Sequence, residues 1–191
     1  MLALEFVSTV RATRSGLTDT LSDVAGMTAW AREHAAELGI DPGFTATEDL
    51  RREVVELRQA VRALFARAVA PDPASGADAH RLPGFAESLD LVNAAALAVP
   101  LAPRLEWPDE GAPVARTVPA AEAAWSPRIR AALASSAIAL LAGPERERLR
   151  TCPAPRCVLY FVKEHARQEW CSVGCGNRAR AARHYRQHKT R

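Results

Sequence analysis

The chain has 191 residues, 48% of them hydrophobic and 25% charged, with a formal net charge of +3. This balance excludes a disordered or collagen-like polymer and fits one ordinary domain with a small appendage. No run approaches the ~18 uninterrupted apolar residues of a membrane span, and Glu5 interrupts any apolar leader at the start, so a cytoplasmic protein with reduced thiols and no membrane partner is expected.

Leu2 to Val10 suits a short strand or the first turn of a helix, and periodicity does not choose between them. Arg11 to Thr18 reads as a polar loop. Leu21, Val24, Met27, Trp30 and Leu38 then form the apolar side of a helix ended by Gly39, with His34 as a solvated surface residue among charged neighbours. Asp41-Pro42-Gly43 is a turn. The clearest helix runs from Thr47 to Ala70, where Leu50, Val54, Leu57, Val61, Leu64 and Ala68 recur at steps of four and three. Its other face carries Arg51, Arg52, Glu56 and Arg62. The interspersed acids favour a solvated, salt-bridged surface there over a nucleic-acid surface.

Pro71 stops this helix, and Asp72 to His80 reads as a surface loop. Phe85 to Val99 is a third helix with Leu89, Val92, Ala96 and Val99 facing inward. Leu101 to Trp107 and Ala112 to Val118 flank a Pro-Asp-Glu-Gly turn and predict a small hairpin. A last helix spans Ala120 to Leu141, with Pro127 either kinking it or marking its true first turn. Gly143-Pro144 ends it. Glu145 to Leu149 is so short a link that the C-terminal segment is expected to be held against the body.

That C-terminal segment contains every cysteine of the chain: Cys152, Cys157, Cys171 and Cys175. The spacing is C-x4-C, thirteen residues, then C-x3-C. Two close pairs at such a separation are the layout of a four-thiolate zinc site, each pair on one turn and a hairpin bringing the pairs together. Two disulfides or four unrelated thiols are the competing reading, and a reducing compartment disfavours it. Val158 to Lys163 and Arg167 to Trp170 have the composition of that hairpin, turning around His165. Ser172 is a suitable N-cap that places Cys175 in the first turn of a helix. His165, His184 and His188 read as surface groups, since four thiols already complete the ligand set.

From Arg150 onward there are ten Lys or Arg against two Glu, and both lysines of the protein lie there, so the remainder of the chain is net acidic. A basic end on an acidic body points to a polyanion partner. On a helical wheel of about 100° per residue, Cys175, Ala179 and Ala182 share one side, adjoined by Arg178 and Tyr185. Gly176, Arg180, Arg183 and Gln187 share the other, flanked by His184 and Arg186. The second set is the candidate nucleic-acid face, with Gly176 leaving room for a phosphate at the helix start. Arg and Gln suit phosphates or base edges. Arg178 faces inward on this wheel.

The run C-P-A-P-R-C, then W-C-S-V-G-C-G-N-R, then an arginine-rich helix, closely resembles the CGNR zinc finger of bacterial proteins. In that family the finger follows an N-terminal domain called ABATE, and the pair is described as a stress-responsive transcription regulator. Leu4-Glu5-Phe6-Val7-Ser8-Thr9 is similar to the opening of that domain, with Ser8 where Asn is expected.

The resemblance implies a mainly α protein: a helical ABATE-like domain with a small β-hairpin over residues 1–148, for ligand sensing or dimerisation, then a treble-clef-like finger over residues 149–191. It implies Zn2+ on Cys152, Cys157, Cys171 and Cys175, and double-stranded DNA as partner. The contact set is Gly176, Asn177, Arg178, Arg180, Arg183, His184, Arg186, Gln187 and Lys189. A small-molecule ligand of the body and a homodimer belong to the same expectation. The alternatives are an RNA-binding or protein-docking finger, and a zinc-thiolate redox sensor. Catalysis is not expected. Four cysteines close the zinc sphere, and no H-E-x-x-H, P-loop or nucleophile elbow is present.

Overall fold

A computed structural model describes residues 1–13, 15–78, 82–119 and 123–189, the last by its backbone. Its axis is the helix that the leucine–valine stripe predicts, α4 (Glu48–Ala68). Thr47 caps it by accepting a hydrogen bond from the Leu50 amide at 3.2 Å, and Glu48 and Asp49 sit in the first turn, where acids favour the helix dipole. Its stripe of Leu50, Val54, Leu57, Val61 and Leu64 is buried.

The elements before it are α1 (Leu2–Val7), β1 (Val10–Ala12), β2 (Leu17–Asp19), α2 (Val24–Glu33) and α3 (Ala35–Leu38). After it come α5 (Phe85–Leu97), β3 (Leu101–Glu106), β4 (Val114–Pro119) and α6 (Trp125–Ala142). α4 packs on α5 and α6, and α1 packs on α6 and α4. The strands pair as antiparallel hairpins, with Val10 opposite Asp19 in one and Leu101 opposite Pro119 in the other. One contiguous core joins Phe6, Trp30, Leu57, Phe65, Ile129 and Leu133. No described helix is long and apolar enough to cross a membrane.

Leu2 to Val7 takes the helical one of its two readings. Several expectations give way. The polar loop expected from Arg11 to Thr18 is the β1–β2 hairpin. The helix expected from Leu21 to Leu38 starts at Val24, capped by Asp23, and breaks at His34, whose backbone caps both α2 and α3. The break turns His34 inward. It is 7% exposed, its ring lies 4.8 Å from that of Trp30, and its Nε2 is 3.4 Å from the Glu5 carboxylate. His34 is therefore not a solvated surface residue. Leu89 is 40% exposed because α5 turns Val92 and Ala95 inward instead. Pro127 occupies the first turn of α6, where its missing N–H costs nothing. Ala120 and His80 lie outside the described residues.

The largest departure concerns α4's charged side. Arg62 and also Arg58 are each 1% exposed. Arg58 forms a two-pronged pair with Asp19, at 2.6 Å to each oxygen, and donates to the Thr9 hydroxyl at 2.7 Å. Burial raises the Asp19 pKa, but the hydrogen bond and charge of Arg58 outweigh it and hold the carboxyl below its ordinary range. Arg62 is enclosed by a loop the sequence marks as surface. Its Nε donates to Asp78 at 2.6 Å, its Nη1 to the Val7 carbonyl at 2.5 Å, and its Nη2 to Ser75 Oγ at 3.1 Å. Ser75 and Asp78 are 3% and 5% exposed, so Asp72 to Asp78 is only partly a surface loop.

Arg62 also reaches the C-terminal unit. Its Nη2 donates to the Val158 carbonyl at 3.2 Å, and Ser75 Oγ donates to the same oxygen at 2.7 Å. Tyr160 donates to Asp78 at 2.7 Å and stands edge-on to Phe65. Burial and then the Asp78 carboxylate push the Tyr160 phenol above its ordinary pKa, so it stays a donor. Leu149 and Tyr160 belong to the body's own core. The short link, a 3-10 turn over Pro144–Arg148, thus leads directly into a docked unit.

Candidate metal centre and nucleic-acid face

The C-terminal unit starts with β5 (Leu149–Thr151), which pairs antiparallel with β6 (Tyr160–Val162), Leu149 opposite Val162. The hairpin expected from Val158 to Trp170 is therefore displaced. The strands flank the first cysteine pair instead of joining the two pairs. The Cys152 amide donates to the Leu159 carbonyl at 3.0 Å, and the Cys157 amide to the Ala154 carbonyl at 2.9 Å. Arg156 takes a left-handed φ of 62° between them, bringing Cys157 round toward Cys152.

The second pair is set by α7 (Val173–Lys189). Ser172 Oγ accepts the Cys175 amide at 3.2 Å, the N-cap that its position predicts. Knuckle, strand pair and ligand-bearing helix make a treble-clef-like unit.

All four Sγ atoms lie within 4.8 Å of one another. Cys157 and Cys171 are 3.8 Å apart and Cys171 and Cys175 3.4 Å apart. Four sulfurs on a tetrahedral zinc, each at about 2.3 Å, stand about 3.8 Å from one another. The donor set fits zinc. Hydrogen bonds from the Cys157 and Cys171 thiols hold Cys152 far below the usual thiol range. The bond to Cys152 pushes Cys157 up to about 11, and the bonds to Cys152 and Cys157 push Cys171 up as well. One thiolate forms readily and its charge opposes the rest. A dication removes that opposition.

Two side chains frame the cluster. Arg178 Nη2 donates to Cys175 Sγ at 3.0 Å, so the arginine that the wheel turns inward reaches a ligand sulfur. Gly176 is buried, and a Cβ added there would lie 3.1 Å from Trp170 Cε3. Its amide donates to the Ser172 carbonyl at 3.1 Å. The indole of Trp170 takes the space that Gly176 leaves.

Two family models account for most of the sequence. The ABATE model, described as "Putative stress-induced transcription regulator", matches residues 1–144, and the CGNR zinc finger model matches residues 148–188. The chain belongs to the ABATE family. Among curated proteins none matches it.

In this ABATE–CGNR chain the structure brings together all four cysteines that the spacing singles out, positioned to bind a metal ion in a manner consistent with Zn2+. The other predicted residues lie along α7. Asn177, Arg178, Arg180, Arg183, His184, Arg186 and Gln187 are exposed, and Lys189 closes the helix, its side chain outside the described residues. Arg180 donates to Asn177 Oδ1 at 2.6 Å, and its guanidinium lies 5.9 Å from the Trp170 ring centroid. His165, His184 and His188 are exposed and apart from the thiol cluster's ligand set. What sequence reasoning misses is the dock of Arg62, Ser75, Asp78 and Tyr160, whose members give no periodic or spacing signal.

Proposed function

We propose that this ABATE protein regulates transcription by binding duplex DNA through one face of α7, with zinc holding that helix in place. The observation that carries this reading is the division of the helix. Asn177, Arg178, Arg180, Arg183, His184 and Gln187 are all exposed on a unit whose first strands dock on the body, and of these Arg178 donates to Cys175 Sγ. Gly176 leaves the contact set because Trp170 covers it. Arg180 and Arg183 suit phosphates or guanine edges, and Gln187 suits adenine. Arg186 and Lys189 add charge along the same end.

We place the domain boundary between Arg148 and Leu149, at the end of the 3-10 turn. The body is then a sensing or dimerisation domain of a cytoplasmic protein. Both matched families are regulatory or zinc-finger families rather than enzyme families. Four protein thiolates leave zinc no open position for a reacting water.

The test is fluorescence anisotropy of the zinc-loaded full chain with duplex DNA and with a structured RNA over a range of salt. Duplex DNA is expected to bind tighter, with a steep negative log–log salt slope. Tighter binding of the RNA would transfer the finger to the RNA readers. No salt-dependent binding to either would end the nucleic-acid reading.

A further inference from the structure

Among the described residues, the body leaves a cavity that the lining side chains do not fill. It measures about 470 Å³, within the ~300–1,000 Å³ of small-molecule sites. Its apolar walls are Leu2 of α1, Leu38 of α3 and Leu101 at the start of β3. The opposing face of α6 presents Ala132 and Ser135 there, although the same helix fills the neighbouring core with Leu133 and Leu140. Short side chains therefore keep the space open in a helix that supplies bulk elsewhere.

Arg128 is the basic residue of the lining, which also carries Glu37, Thr117, Ser135 and Ser136. Its guanidinium is held in place, 4.8 Å from the Trp125 ring centroid and donating from Nη2 to the Gly39 carbonyl at 2.6 Å. Gly39 ends α3 with a φ of +62°, and a Cβ there would lie 3.3 Å from that same Nη2. The glycine both stops the helix and leaves the guanidinium its room. A guanidinium has five N–H donors in a planar fork and Gly39 takes one, so the group retains capacity for a carboxylate. Glu37, the acid of the lining, lies 3.7 Å from His34 Nδ1.

We propose that this cavity binds a small monocarboxylate with an apolar body, its carboxylate on Arg128 and its apolar part against Leu2, Leu38 and Leu101. The proposal rests on the reading of the body as a sensing domain. It is independent of what the finger binds.

Isothermal titration calorimetry of the zinc-loaded full chain tests it, with 4-phenylbutyrate as probe and its uncharged amide as control. The acid should bind about tenfold tighter than the amide, the value of one charge-assisted contact. Arg128→Met should reduce that preference to about twofold or less while leaving the amide's affinity in place. Ser135→Phe, which fills the cavity from α6, should abolish binding of both. Ala132→Phe serves as a second filling variant should the first fail to fold, with circular dichroism and zinc content as controls. Equal binding of acid and amide, no binding of either at millimolar concentration, or undiminished binding by a folded filled variant overturns the proposal. DNA binding by the ligand-free chain is measured separately, so failure here leaves the reading of the finger standing.

Discussion

In the body, Phe6, Phe65, Ile129 and Leu133 are fully enclosed between helices. The finger's own enclosed cluster is Cys152, Ala154, Phe161 and Cys175, two of them members of the four-thiol group that could hold the metal. A unit this short cannot remove enough apolar surface from water to offset chain entropy, so metal ligation supplies what packing cannot. The finger also borrows from the body, since Leu149 and Tyr160 complete the larger core. The two regions should therefore fail under different insults, and their shared surface should couple those failures.

Zinc removal gives the largest separation. Structural zinc contributes roughly 10–16 kcal/mol of apparent binding free energy in finger peptides. Cys157→Ser, or chelation, should therefore abolish amide-exchange protection in α7 while α4 keeps its protection. Simultaneous loss of protection in both helices would mean that body and finger are one cooperative unit, and the contrast would fail.

Breaking the dock comes next. Arg62→Met leaves Asp78, whose side chain is 2% exposed, without its cation. Removing one partner of a buried pair costs about 3–5 kcal/mol. Chemical denaturation should show that loss in the body, with zinc content unchanged. Arg62→Met combined with Asp78→Leu should be less damaging than Arg62→Met alone, because no buried charge is then left unpaired. A double variant worse than the single by the full cost of Asp78→Leu would show that the pair is not the source of the effect.

A smaller effect belongs to the body alone. The folded pKa of Asp19 lies below its ordinary 3.8, although burial opposes this, because Arg58 hydrogen-bonds the ionised form. Its contribution is therefore full above 3.8 and is lost as pH falls through the lower folded value. Asp19→Asn should cost on the order of 1–2 kcal/mol at neutral pH, given partial solvent access, and should flatten the acid side of the melting profile. An acid limb as steep as that of the unsubstituted chain would assign the pH dependence to other carboxyls.

The parts of this architecture that sequence exposes are those governed by local repetition. The α4 stripe, the close spacing within each cysteine pair, the Ser172 cap and the reach of Arg178 to Cys175 three residues earlier all follow from residues within a turn or two of one another. The hidden parts depend on what a distant segment does. Arg62 sits on the charged flank of α4, and only the approach of Ser75, Asp78 and Val158, the last 96 residues away, makes it internal. His34 turns inward because the chain breaks beside it and Glu5 of α1 stands opposite. β5 is three residues long, too short to distinguish from a link until β6 pairs with it. Trp170 over Gly176 illustrates the same limit. A glycine at a helix start announces close approach without saying by what.

The division of α7 into a binding side and a bracing side is decided by one salt-titrated binding experiment with duplex DNA. Arg180→Ala with Arg183→Ala should weaken binding and flatten the log–log slope by about two units, roughly one for each phosphate no longer neutralised. Zinc content and melting should be retained. Arg178→Ala should instead lower the finger's stability, removing a charge-assisted bond to a ligand sulfur worth about 1–3 kcal/mol, with the slope nearly unchanged. If Arg178→Ala melts normally but no longer binds, while the double variant binds with an undiminished slope, the faces are reversed and the account of this finger is wrong.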